Sequence, residues 1–300
     1  MKRKLGILRK IINKFNIIDF INDNHGLLLK KLHRKYDVIQ IERRNKISNK
    51  SDLLTQLVTS GYCSLGLCDN LDRTKIRQIQ DCLNTRQING AKDVRIIQIE
   101  DALERFPFLA NILLNSKLQN LVHDYLGEDA RFDWINIWRV IPGVKVLNSS
   151  EAWHHDRVGT RLKIFIYLSE NTDLNTLPTL YAKSSHNKIR NNFGRKNSRD
   201  KTPSKENTIE LRGVFREMIV FDTNGSHRGA YNADAPKRDI IQLEFSSKSK
   251  SSKLPRWASC GPREVSLSSE SFETILNSKL FDQKCVTQLN DDKYLYDQYI

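Results

Sequence analysis

The sequence is short of the features that would take it outside the ordinary globular class. Its five cysteines, Cys63, Cys68, Cys82, Cys260 and Cys285, are an odd number with no C-x-x-C pair. That excludes a disulfide framework and predicts reduced thiols in a cytoplasmic protein. No run approaches the roughly 18 apolar residues that a membrane span needs. Charges interrupt the basic start, Met1 to Lys10, too often for a secretory leader. There is no internal repeat. Acidic residues are scarce: 35 Asp and Glu stand against 49 Lys and Arg, a net charge of +14. What remains is 300 residues with 39% apolar content, enough to bury a sizeable core as one large domain or two small ones.

The positive charge is unevenly spread. Residues 1–50 hold 14 Lys and Arg against 4 Asp and Glu, and the stretch from His186 to Asn207 holds 7 against 2. Such patches favour phosphorylated substrates, nucleic acid or acidic membrane surfaces. They lack the interleaved aromatic side chains of a single-strand-binding platform. A chain rich in Lys, Asn and Ile also acquires basic surface without selection for a partner. A solvated surface is therefore preferred over a nucleic-acid site, and a small molecule, anionic or neutral, is the preferred partner. Leu5, Leu8, Ile11, Ile12, Phe15 and Ile18 fall at helical spacing with basic residues between them. A helix of this kind more often packs on its own domain than lies on an anionic membrane, although residues 1–20 offer a peripheral contact.

Beyond residue 50 the pattern changes twice. Leu53 to Ser60, ended by Gly61, reads as a helix, and Tyr62 to Leu67 as a short strand. A second helix, capped by Asp69 or Asn70, runs to about Asn84. Asp93 to Ile99 reads as a strand and Leu109 to Leu126 as one long amphipathic helix closed by Gly127. After Gly127 short strands dominate: Arg131 to Ile141, Arg161 to Leu168, Thr179 to Ala182, Thr208 to Arg212, Glu217 to Phe221 and Asp239 to Phe245. Helices first, then a β-core of short strands, predict an α+β chain whose core is a sandwich or jelly roll rather than a parallel sheet. Residues 1–50 form a basic helical extension, 51–247 the main domain with its core over about 131–247, and 248–300 a C-terminal extension. The last opens in a Ser/Lys-rich linker and carries one helix near Glu270 to Leu280.

The chemistry is concentrated in Trp153-His154-His155-Asp156. On a strand, His154 and Asp156 share one face and His155 faces away, because side chains repeat every second residue. His155 is then a pocket-lining or surface hydrogen-bonding neighbour rather than a ligand. Taken alone an H-x-D is commonplace. His227, 71 residues after Asp156 and bracketed by Gly225 and Gly229, completes a two-histidine, one-carboxylate set. That set is the facial triad of non-haem Fe(II) oxygenases, which leaves metal positions open. His186 is the competing second histidine, but a basic loop follows it. Arg238 lies 11 residues after His227 and heads the apolar run Asp239 to Phe245. A guanidinium there calls for a bidentate carboxylate, either that of a dicarboxylate cosubstrate or a surface neighbour such as Asp239 or Glu244.

Together the WHHD segment, the strand LKIFIYLSE, the KSSHNK segment, the HRG…R ending and the earlier LLTQLVTSGYCSLGLCDNLDRTKI resemble the phytanoyl-CoA dioxygenase-like branch of the Fe(II)/2-oxoglutarate oxygenases. The resemblance spans about residues 53 to 247. It implies a double-stranded β-helix (cupin-like jelly roll) with N-terminal helices packed against it. It also implies Fe(II) held by His154, Asp156 and His227, and Arg238 on the distal carboxylate of 2-oxoglutarate, with O2 as co-oxidant. Arg139, on the strand before the motif, is a further cosubstrate candidate. The implied reaction is hydroxylation of an unactivated C–H of a small or anionic metabolite, with release of succinate and CO2. Related halogenases lack the carboxylate ligand that Asp156 supplies here. One departure is visible: the usual Pro-Gly-Ser-His turn is Lys183-Ser184-Ser185-His186, which puts the local turn in question. The competing classes are a non-catalytic jelly-roll module that binds glycan or nucleic acid through its basic surface, and a Zn(II) cupin.

Overall fold

The computed structural model describes residues 38–85, 96–99, 101–142, 152–156, 161–169, 177–187, 200–230 and 234–247, with Thr274 and the backbone of three short strands in the tail. The helix expected over Leu5 to Ile18 and the basic loop up to Arg199 lie outside these residues. Residues 38–46 form a helix, α1. Helix α2, Asp52–Ser60, starts where Ser51 Oγ accepts from Leu54 N–H and ends at Gly61, whose φ of 86° suits the left-handed cap. After β1 (Tyr62–Leu67) comes α3 (Arg73–Thr85). Its cap is neither Asp69 nor Asn70. Asp72 Oδ1 accepts from Lys75 N–H at 2.8 Å, while the Asn70 amide donates to the Asn111 carbonyl. Strand β2 is Ile96–Ile99, and α4, Ala102–Arg105, follows. The long helix expected over Leu109 to Leu126 is broken. Pro107–Leu114 is 3-10, and Asn115 caps a separate helix α5, Ser116–Leu126, by accepting from Leu118 N–H at 3.0 Å. An Asn side chain that bonds the backbone favours a cap over a helix interior.

The remaining strands are β3 (Ala130–Val140), β4 (Leu162–Tyr167), β5 (Thr179–Ala182), β6 (Thr208–Leu211), β7 (Glu217–Asp222), β8 (His227–Gly229) and β9 (Arg238–Ser247). They form an antiparallel six-stranded sheet, β1-β7-β4-β9-β3-β2, and a facing sheet, β6-β5-β8, to which His154 adds a single bridge on His227. From β3 onward the chain alternates between the sheets: large at β3, small at His154, large at β4, small at β5 and β6, large at β7, small at β8, large at β9. Two sheets wound in that order make a double-stranded β-helix jelly roll.

Alternation assigns the two faces of the large sheet. Ile135, Ile137, Leu162, Ile164, Leu243 and Phe245 turn outward into one core with Leu54 and Leu57 of α2 and Leu118, Leu121 and Val122 of α5. Each such side chain, when fully buried, contributes about 1.5–3 kcal/mol. The described cysteines are free thiols, and burial pushes Cys63 up to about 12 and Cys68 up to about 11, so neither is a ready nucleophile. In the tail, β10 (Ser266–Ser268), β11 (Val286–Leu289) and β12 (Lys293–Tyr296) make a small antiparallel sheet that the sequence reading did not anticipate. Segments of three and four residues are too short for an alternating pattern to show. Of the expected helix over Glu270 to Leu280 only Thr274 is described, and it is helical. Among the described residues no helix is long and apolar enough to cross a membrane.

Candidate metal centre and its pocket

The backbone brings the three predicted ligands together. His154 and His227 exchange both main-chain hydrogen bonds, N–H to O at 3.0 and 2.7 Å, so their side chains project to the same side. The ring centroids are 4.4 Å apart. Asp156 N–H donates to the Thr223 carbonyl at 2.9 Å, which carries the pairing on and returns the carboxylate to the same point. One donor atom each from His154, Asp156 and His227 fall within 4.8 Å of one another, and His227 Nε2 is 3.7 Å from Asp156 Oδ1. His154 Nδ1 lies 2.8 Å from the Ala152 carbonyl and His227 Nδ1 2.9 Å from the Gly225 carbonyl. A carbonyl only accepts, so both Nδ1 atoms carry the proton. Both Nε2 lone pairs are left for a metal.

The loop before His227 is anchored firmly. Asp222 accepts from Asn224 N–H at 2.8 Å through Oδ1 and from the Tyr125 hydroxyl at 2.6 Å through Oδ2. Arg44 of α1 stands 3.9 Å from Oδ2 and 4.2 Å above the Tyr125 ring. Position 225 must be glycine, because a Cβ there would lie 1.9 Å from Tyr181 Oη. In the departing turn, Ser184 adopts φ 60°, a conformation that favours glycine. Its hydroxyl donates to the Thr59 carbonyl at 2.8 Å and its N–H to Ser60 at 3.0 Å, which offsets that strain. The turn therefore forms without Pro-Gly.

Electrostatics favour ligation. Burial, with His154 beside it, pushes His227 down to about 3, so its imidazole is neutral at ordinary pH. Burial opposes ionisation of Asp156, but Lys163, His227 and Arg161 outweigh it and hold the carboxyl well below the usual range. Lys163 Nζ lies 2.8 Å from Asp156 Oδ2 and Arg161 Nη2 3.6 Å away. Burial works against the Lys163 cation, yet Asp156 and Glu244 keep it above its ordinary value. Glu244 pairs with Arg161 and, at 3.5 Å, with Lys163, and it accepts from the Gln242 amide at 2.6 Å. Sequence reasoning missed this network. Arg161 and Lys163, on either side of Leu162, read in sequence as the solvated face of a strand, and their pairing with Glu244 shows only once β9 lies alongside β4.

The other candidates separate cleanly. His155 turns away from the ligands and bonds Asp200, Nδ1 to Oδ1 at 3.0 Å; it is buried, not a surface residue. His186 donates Nε2–H to the Val58 carbonyl at 2.9 Å and stands outside the ligand group. Arg139 lies on the outer face of β3, bound bidentately to Asp239 at 2.7 and 2.8 Å and to Asn84 at 2.6 Å. It does not reach the pocket. Arg238 does. It is buried at the head of β9 and lines a cavity of about 180 Å³ with His154, His227, Lys163, Trp138 and Gln242, whose apolar wall includes Phe165, Phe221 and Ile240. Neither the Asp239 nor the Glu244 salt bridge allowed by the sequence goes to Arg238: those carboxylates hold Arg139, and Arg161 with Lys163. Two imidazoles and one carboxylate fit a divalent first-row transition metal and supply only three ligands.

No family model matches the chain, and no curated protein matches it. Solved structures do. SnoK, a non-heme alpha ketoglutarate dependent carbocyclase from nogalamycin biosynthesis, is 15% identical, with 67% of this chain and 85% of SnoK covered at a TM-score of 0.51. EvdO2 from Micromonospora carbonacea var. aurantiaca is 14% identical, with 67% and 91% covered at 0.50. HygX from Streptomyces hygroscopicus, with nickel and 2-oxoglutarate bound, is 12% identical, with 67% and 88% covered at 0.49. This chain has the fold of SnoK and EvdO2. At 14–15% identity the likeness extends to the fold and no further.

Proposed function

We propose that the protein is an Fe(II)- and 2-oxoglutarate-dependent dioxygenase that hydroxylates an unactivated C–H of a small, anionic molecule. The observation that carries this reading is the convergence of His154, Asp156 and His227, with both Nδ1 atoms pinned by carbonyls, on a pocket that also holds buried Arg238. His154, Asp156 and His227 would hold the metal. Iron with 2-oxoglutarate and O2 supplies, when bound, an oxidant strong enough to take an unactivated hydrogen, with succinate and CO2 as co-products. The chain's part is to set that chemistry up. Asp156 stays ionised and offers Oδ1, because Lys163 occupies Oδ2. Arg238 matches the distal carboxylate in a bidentate pair. Phe165, Phe221 and Ile240 give the cavity an apolar wall.

The carboxylate ligand supports hydroxylation over halide transfer, and the resemblance of WHHD and HRG…R to the phytanoyl-CoA dioxygenase-like branch supports the same assignment. The net charge of +14 supports an anionic substrate, and the free thiols at Cys63, Cys68 and Cys82 support a reducing, cytoplasmic setting. The test is anaerobic titration of Fe(II)-loaded protein with 2-oxoglutarate, which should produce the weak visible charge-transfer band of a chelated complex. A screen of small anionic molecules for succinate release then identifies the substrate. A metal-loaded protein that gives no band would favour a Zn(II) cupin or a non-catalytic module.

A further inference from the structure

Strand β3 runs antiparallel to β9 through the pocket wall, with Asn136 opposite Gln242, Trp138 opposite Ile240 and Val140 opposite Arg238. Trp138, Val140 and all three of those partners line the cavity, and Asn136 shares their face by alternation. Asn136 is fully buried, and neither atom of its amide has a hydrogen-bond partner among the described residues. The buried indole Nε1 of Trp138, two residues on, likewise has none. A buried amide without partners is costly, and a leucine would fill the same space without that cost. Nearby polar groups are already engaged, Gln242 with Glu244 and Lys163 with Asp156. Two unmet donors on one face of one strand call for a ligand rich in acceptors.

Their position narrows that ligand. Along β9, Arg238 marks one end of the wall, and Glu244, which holds Lys163 beside Asp156, marks the other. Trp138 and Asn136 lie between these ends. A dicarboxylate extended from Arg238 toward Lys163 and Asp156 runs along this stretch of β3, past Trp138 in the cavity wall and toward Asn136 opposite Gln242. We propose that Asn136 and Trp138 are binding residues for the 2-oxoglutarate carboxylates: the indole N–H donates to the end held by Arg238, and the amide N–H to the end that meets the metal. The assignment rests on the cosubstrate reading above.

The test is the anaerobic Fe(II) titration with 2-oxoglutarate, run on the wild type, Asn136→Leu, Asn136→Asp and Trp138→Phe. Apparent Kd should rise about ten-fold in Asn136→Leu and Trp138→Phe, the effect of one hydrogen bond to a charged group, and further in Asn136→Asp, where like charges meet. Fe(II) affinity measured without 2-oxoglutarate should stay at the wild-type value. Metal-free Asn136→Leu should melt at or above the wild-type temperature, since a purely structural amide would instead be missed by the fold. Leu and Phe variants that bind 2-oxoglutarate within two-fold of wild type would overturn the assignment. So would an Asn136→Leu protein that melts well below wild type and keeps its affinity. A wild type that gives no band sinks the cosubstrate reading itself, a distinguishable outcome.

Discussion

On its outer face the six-stranded sheet turns Ile135, Ile137, Ile164, Leu243 and Phe245 to the helices; on its inner face the same strands carry Asn136, Arg161, Lys163, Gln242 and Glu244. The two faces do different work. The outer one gains apolar burial and supplies the stability of the domain. The inner one spends part of that gain on desolvating charges that must be paired to be tolerated. Nothing about stability requires the second arrangement, so a polar interior facing a cavity marks where a ligand is handled. The contrast is sharpest in two arginines at the same end of neighbouring strands. Arg139 faces out and clamps β3 to β9 through Asp239, whereas Arg238 faces in and lines the cavity.

Three experiments would break or sharpen this contrast. The largest effect is expected at the ligands: Asp156→Ala or His227→Ala should abolish both the charge-transfer band and substrate-dependent succinate formation. Full activity in either variant would end the oxygenase reading. The arginine pair comes next. Arg238→Met should weaken 2-oxoglutarate binding by about 2–5 kcal/mol. Arg139→Met should lower stability by about 3 kcal/mol, having broken a buried pair, with 2-oxoglutarate affinity nearly unchanged. If the two results were exchanged, the anchor would belong to the outer face. The smallest effect is on pH dependence. His227 is held near 3 when folded against an ordinary 6.5, so unfolding takes up a proton between those values. Its contribution to stability is full above 6.5 and is lost as pH falls toward 3. Metal-free His227→Gln should therefore lose about 2 kcal/mol less than wild type between pH 7 and pH 5 in urea titrations. Equal losses would mean that the imidazole is not buried in its neutral form.

The outer face was legible in the sequence because alternation and helical spacing report apolar burial directly. The convergence of His154, Asp156 and His227 was legible for a related reason: H-x-D places two side chains on one face, and glycines flank His227. The remainder depended on partners remote in the chain. Arg139 lay on the right strand but with the wrong parity, and a shift of one residue moves a side chain through the sheet. Lys163 and Arg161 gained their meaning only when β9 brought Glu244 alongside, 83 residues beyond Arg161. Asn136 carries no sequence signal, since an amide without partners is recognised only once its surroundings exist.

The helix over residues 38–46 has a practical consequence. Arg43 donates to the carbonyls of Asp124 and Tyr125 at 2.9 and 2.7 Å, and Arg44 completes the charge balance of Asp222, from which the His227 loop departs. A protein trimmed to begin at residue 51, where the sequence pattern sets its boundary, would keep every strand of the jelly roll and all three donors. It would also leave the buried Asp222 carboxylate without its guanidinium, directly upstream of His227. The first symptom of such trimming would be a displaced His227 loop, and with it weaker binding of added Fe(II), in a protein that still folds.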